Sequence, residues 1–244
     1  MKTRRGALCR SVFSRHNAVT QVAVPRGDEG NPLAERRFQA LVFDMDGVIL
    51  QSNEVKHQAL LRLFEDFPED LPEIAAYDRR SGGVPRRRKF AHIWREILCL
   101  CYSQDVEEEF VTRYAQILEE GLRRAPLVDG IREFLSSTPI PKYVSSAAPQ
   151  EEVERQLASR GLLDQFSAVF GSPTEKADAL RTVIQRHACA PSEVLFLGDA
   201  RADYEAAQAA STTFAGVVRE RNDFEGLRCP TLVDFRNALL VGAA

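Results

Sequence analysis

The chain reads as an α/β protein, a doubly wound parallel sheet of about five strands with an inserted small α-helical cap-like unit after the first strand. Three observations predict this. From Phe38 onward short β-type runs alternate with stretches of helical period. The first two runs are separated by about a hundred residues, far more than one crossover helix uses. The polar residues able to do chemistry follow directly on the apolar runs, at the strand ends where open α/β sheets bind ligands.

Composition sets the frame for these elements. With 44% hydrophobic and 27% charged residues over 244 positions, the chain is too apolar for disorder and long enough to bury a core without metal or disulfide staples. A net charge of −3 offers no basic face for nucleic acid, and no apolar run approaches the ~20 residues of a membrane span. Neither kind of partner is expected, and oligomeric state is not legible. The five cysteines, Cys9, Cys99, Cys101, Cys189 and Cys229, are odd in number and form no C-x-x-C pair. They are expected to be reduced and mostly buried thiols in a cytosol-like compartment.

Residues 1–37 come first. Lys2, Arg4, Arg5, Arg10, Arg15 and Arg26 precede the first acid, Asp28, and no long apolar period accompanies them. The segment is expected not to pack, being either a disordered extension or an organellar targeting peptide of a protein otherwise placed in the cytoplasm. An export signal is not expected, because Arg10 and Arg15 interrupt the apolar stretch it needs.

The strands expected next are Ala40–Phe43, Tyr143-Val144, Ala168–Phe170, Val194–Leu197 and Phe214–Val218. Between the later strands, helical spacing runs through Val128/Ile131/Phe134/Leu135, through Val153/Leu157 with Gly161 as C′ residue, and through Ala177/Leu180/Val183/Ile184. The insertion, residues 56–125, should be helical on the apolar positions Val55/Ala59/Leu60/Leu63/Phe64/Phe67, Phe90/Ile93/Trp94/Ile97/Leu98/Cys101 and Phe110/Tyr114/Ile117/Leu118. Asp105 with Glu108 has the spacing of a capping box for the third of these helices. Residues 38–55 and 126–244 then form the sheet unit.

Each strand delivers a polar group to one edge. Phe43 is followed by Asp44-Met45-Asp46-Gly47, Val144 by Ser145-Ser146, Phe170 by Gly171-Ser172 and then Lys176, and Leu197 by Gly198-Asp199 and then Asp203. Singly, each has a plain structural explanation: a turn for Asp-x-Asp-Gly, a helix N-cap for Ser145, a solvated helix residue for Lys176, a dipole-favoured acid for Asp199 and Asp203. Jointly they suit phosphoryl chemistry. In an extended segment Asp44 and Asp46 point to one side while Met45 points into the core. Three carboxylates together repel and call for a divalent cation, and all-oxygen donors suit Mg²⁺. Ser145 and Lys176 add donors and positive charge.

These residues resemble the haloacid dehalogenase superfamily. Leu41–Val48 is similar to its first motif, Tyr143–Ser146 to its second, Lys176 after Gly171–Glu175 to its third and Phe196–Asp203 to its fourth. The insertion matches the place of the cap in phosphoglycolate-phosphatase-like and sugar-phosphatase-like members. The resemblance implies a Rossmann-like core, with Asp44 as a nucleophile that forms an aspartyl-phosphate and Asp46 as general acid and then base. It further implies that Ser145 and the Ser146 N–H hold phosphoryl oxygens and that Lys176 balances charge. Asp44, the Asp46 carbonyl, Asp199 and Asp203 would hold Mg²⁺. An acid at Asp46 disfavours dehalogenation and phosphonate cleavage, leaving a small phosphorylated metabolite as the expected partner. A sugar phosphomutase, and more remotely a non-enzymatic phosphoacceptor, use the same residue types.

The basic loop Arg79–Lys89 is either a solvated cluster or a specificity loop in which Gly82 and Gly83 admit close approach and Arg86 grips a second anionic group of the substrate. The four histidines match no metal or triad spacing; His57, at the entry to the insertion, is the one closest to the expected chemistry. The P-loop, dinucleotide, serine-esterase and zincin signatures are all absent.

Overall fold

The computed structural model describes residues 38–219 and 222–236 in full, and residues 21–23 and 239–241 by their backbone. The strands in chain order are β1 (Gln21–Ala23), β2 (Ala40–Phe43), β3 (Lys142–Pro149), β4 (Ala168–Ser172), β5 (Val194–Gly198), β6 (Thr213–Val217), β7 (Thr231–Leu232) and β8 (Leu239–Val241). The α-helices are α1 (Asn53–Leu63), α2 (Leu71–Arg80), α3 (Arg86–His92), α4 (Gln104–Arg124), α5 (Ile131–Ser137), α6 (Gln150–Ala158), α7 (Lys176–His187) and α8 (Arg201–Ala210).

Six strands form a parallel sheet in the order β4-β3-β2-β5-β6-β7. The sequence suggested about five; β7, with two residues, is too short to show a period of its own. The alternation of side chains along a strand explains why both faces are covered. Leu41 and Phe43 of β2 and Leu195 and Leu197 of β5 face a core completed by Ile131, Phe134 and Leu135 of α5 and Val153 and Leu157 of α6. Ala40, Val42, Val194 and Phe196 face the opposite core, closed by Leu180 and Val183 of α7 and Ala207 and Ala210 of α8. In the N-terminal stretch expected not to pack, β1 pairs antiparallel with β8, Gln21 opposite Val241; the rest of residues 1–37, with its targeting reading, lies outside the described residues.

Residues between β2 and β3 build a separate helical core. Leu60 and Leu63 of α1, Phe64 just past it, Ile74 of α2, Phe90 of α3 and Phe110, Tyr114, Leu118 and Leu122 of α4 are all buried there. Phe64 lies at its centre, its ring 5.3 Å from that of Phe110 and 6.2 Å from that of Phe90. Three local expectations differ. The helix begun at Phe90 does not run evenly to Cys101: it widens into a π-turn at Ile93–Ile97, closed by the Leu98 N–H on the Ile93 carbonyl, and Cys99 then leaves it with φ 53°. The N-cap of α4 is Ser103, whose hydroxyl accepts the Val106 N–H, and Asp105 sits inside the first turn. Cys99 and Cys101, beyond the π-turn, are exposed, and Cys189 and Cys229 are half-buried, so the described thiols are not the buried set expected; Cys9 lies outside the described residues.

The chain enters and leaves this helical unit at one place. The Val128 N–H donates to the Ile49 carbonyl and the Gln51 N–H to the Pro126 carbonyl, each at 2.9 Å. Arg160, just past α6, caps the end of α4 by donating to the carbonyls of Leu122 (2.6 Å), which also accepts the Ala125 N–H, and of Ala125 (2.9 Å). Among the described residues no helix is long and apolar enough to cross a membrane.

Candidate active site

Register decides what gathers at the sheet edge. Phe43 pairs with Leu197 on one side and Val144 on the other, and the Asp44 N–H donates to the Leu197 carbonyl at 2.8 Å. Asp44 therefore leaves β2 beside Ser145 of β3 and beside the β5 end that leads into Asp199. Asp203 lies in the first turn of α8, and Lys176 is the first residue of α7.

Lys176 joins the two chain segments. Its Nζ is 2.8 Å from Asp44 Oδ1 and 2.5 Å from Asp203 Oδ1, and all three side chains are buried. Asp203 is further anchored by the Ala200 N–H on Oδ2, at 3.1 Å. Carboxylate oxygens of Asp44, Asp199 and Asp203 lie within 4.8 Å of one another. Burial pushes the Asp44 carboxyl up to about 7, with Lys176 pulling the other way. Asp199 is raised by burial and then by the neighbouring Asp44 charge, and the Asn53 amide donates to it at 2.5 Å. Burial alone would depress Lys176, but Asp203 and Asp44 outweigh it and hold the ammonium above its usual range. Such a concentration of negative oxygen, relieved by one lysine, fits a hard divalent cation such as Mg²⁺. Asp203, with both oxygens engaged, is the least free of the three to serve as a ligand.

Asp46 points elsewhere. Its Oδ2 is 2.5 Å from Lys56 Nζ and its Oδ1 accepts the Ser52 hydroxyl at 2.6 Å. Burial would raise this carboxyl, yet Lys56 and the hydrogen bonds hold it below the usual carboxylate range. Met45, between the two acids, is buried in the core as expected. Gly47 has φ +75°, and a Cβ there would stand 2.0 Å from Asp199 Oδ2, so only glycine lets this turn close against the acid cluster.

The cluster opens into a cavity of about 470 Å³ between the sheet edge and the helical unit, lined by Asp44, Asp46, Lys176 and Asp199 on one side and by Lys56, His57, Asp78, Arg86, Lys89 and Tyr114 on the other. Gly83 belongs to it too: a Cβ there would touch Ala202 at 3.0 Å and lie 3.8 Å from Lys176 Nζ, so the 79–89 loop reaches over to the acid cluster rather than standing in solvent. Ser145 and Ser146 are buried in the middle of β3, the Ser146 hydroxyl accepting the Ala148 N–H at 3.1 Å, and the cavity wall there consists of Ala147 and Ala148. Arg86, expected to grip a second anionic group, faces the cavity with its charge already paired: its Nη2 donates to both oxygens of Glu152 at 2.6 and 2.8 Å. His57 Nδ1 is 2.8 Å from Asp78 Oδ2, and Lys89 holds the other oxygen at 2.5 Å.

Sequence reading missed Lys56, Asn53, Asp78 and Glu152. For the first two a signal existed, since they head the helix that follows the Asp44–Asp46 turn and fall off its apolar stripe. For Asp78 and Glu152 none did, because their partners are set by how the two units meet.

The profile of the haloacid dehalogenase-like hydrolases matches residues 38–211. The phosphorylated carbohydrates phosphatase of Thermotoga maritima is 25% identical over 78% of this chain and 90% of its own length. The phosphoglycolate phosphatase of Pectobacterium atrosepticum is 30% identical over 78% of this chain and 84% of its own. Among solved structures, CbbY from Rhodobacter sphaeroides in complex with phosphate superposes with a TM-score of 0.63 at 15% identity, over 82% of this chain and 96% of that one.

Proposed function

The chain belongs to the haloacid dehalogenase-like hydrolases, and from that premise we propose that it is a Mg²⁺-dependent phosphomonoester hydrolase acting on a small phosphorylated metabolite. The observation that carries this is the clustered set of buried Asp44 and Asp203, bridged by Lys176, with half-buried Asp199 beside them, open to a cavity of about 470 Å³. The substrate class also agrees with what the named relatives act on.

Asp44 and Asp199, with Asp203 behind them, would hold the cation together with the Asp46 carbonyl. When bound it supplies positive charge against the carboxylates and the phosphoryl oxygens. The phosphoryl group would lie against Asp44 where β3 passes it at Ser145 and Ser146, with Lys176 on its other flank. Asp44 attacks phosphorus, forming an aspartyl-phosphate as the bond to the leaving oxygen breaks. Asp46, paired with Lys56 and ionised as it stands, would have to leave that pair and take up a proton before delivering it to that oxygen; as a carboxylate again it takes one from water, which attacks the same phosphorus, releases inorganic phosphate and restores Asp44. Lys176, tied to both Asp44 and Asp203, fixes the direction from which Asp44 attacks.

A screen of phosphorylated metabolites with and without Mg²⁺ tests the reading, with inorganic phosphate as the expected product. Asp44→Asn should abolish release, by more than about 10³-fold, while leaving the thermal transition in place. Turnover at the parent rate in that variant would remove the assigned nucleophile.

A further inference from the structure

The wall that the helical unit turns to the cavity is cationic, yet three of its cations are already answered by the chain's own carboxylates: Lys56 by Asp46, Lys89 by Asp78 and Arg86 by Glu152. The last pair differs from the others. Glu152 comes from α6 of the sheet unit, does not line the cavity, and reaches Arg86 from behind. Both side chains are about nine-tenths buried, at 9% exposure each, and the guanidinium lies over the Tyr114 ring, 5.1 Å from its centroid.

A leaving alcohol that brings a carboxylate or second phosphate to Arg86 has two options. Either it displaces Glu152, leaving that acid buried without counter-charge, or it lies beside Glu152, like charge against like. An uncharged, hydroxylated alcohol meets neither penalty. Building on the hydrolase reading above, we propose that Glu152 is a specificity-determining residue: by pairing the charge of Arg86 it tunes the cavity to phosphomonoesters whose leaving alcohol is uncharged and against those that carry a second anion.

The test compares two esters of equal size, 2-hydroxyethyl phosphate and phosphoglycolate, which differ in a hydroxymethyl against a carboxylate. The parent protein should favour the first in kcat/KM by at least about tenfold. Glu152→Gln should raise kcat/KM for phosphoglycolate at least about tenfold and change the neutral ester by less than about threefold. Should an unpartnered Arg86 prevent folding, the double variant Arg86→Met, Glu152→Met removes the pair altogether, and its preference should fall to within about threefold. The same ratios are read without turnover in an Asp44→Asn background, from thermal stabilisation by each ester. A parent that hydrolyses neither ester counts against the hydrolase reading, while the stabilisation ratios still decide the role of Glu152. Parent preference for phosphoglycolate, equal stabilisation by the two esters, or a preference that survives in both Glu152 variants overturns the proposal.

Discussion

Asp44 and Asp46 are two residues apart and live in opposite electrostatic surroundings. Burial lifts Asp44 to about 7, whereas Lys56 holds Asp46 low in spite of its burial. The sign of the consequence follows from the proton count. Below about pH 7 Asp44 carries a proton that a cation must displace, so Mg²⁺ affinity should fall by at least about tenfold for each pH unit below that value, the raised Asp199 carboxyl adding to the fall. Calorimetric titration across that range measures it, and a flat affinity would mean that Asp44 is no ligand. Gly47→Ala makes a complementary case: the added methyl group meets Asp199 Oδ2 at 2.0 Å in a backbone that favours glycine. It should lower Mg²⁺ affinity at least about tenfold and stability by roughly 1–3 kcal/mol, read by titration and by thermal unfolding. At this scale the sequence showed Asp44, Asp199, Asp203 and Lys176 because each stands at the end of its own strand or the start of its own helix. Glu152 was not visible, because its ion pair with Arg86 is a property of two surfaces meeting, and it sits in no pattern that names its partner.

Among elements, legibility followed burial. The strands β2, β3, β5 and β6 and helices α5 to α7 each carry buried apolar residues, β4 carries partly buried ones, and sequence alone located all of them. Helix α2 offered only Ile74 as a fully buried position in ten residues, too little for its period to be seen, and the π-turn at Ile93–Ile97 looks in sequence like ordinary helix. The start of α4 was misplaced by two residues because the Asp105/Glu108 spacing imitates a cap, while Ser103 makes the hydrogen bond. Ser103→Ala should therefore cost about 1 kcal/mol and lower Tm by roughly 2–4 °C. Asp105→Ala, lacking that bond, should cost clearly less, and calorimetry on the two variants separates them.

For the molecule as a whole, the contacts by which the helical unit and the sheet meet include, among the described residues, the Arg86–Glu152 pair, the exposed Arg88–Glu175 pair at 3.1 Å, and the Arg160 clamp on the Leu122 and Ala125 carbonyls. Arg160→Met should free the last turn of α4 and speed limited proteolysis between residues 122 and 127 by about threefold or more, with cleavage inside the sheet unit unchanged. Mass spectrometry of the first fragments locates the cut. The hydrogen bonds that tie Ile49 to Val128 and Gln51 to Pro126 reach further still. Because departure and return share a doorway, whatever is threaded between them adds nothing to the distance the sheet must span. Mutation can lengthen, shorten or rewrite that excursion, and with it the choice of what is admitted, while the catalytic edge keeps its shape.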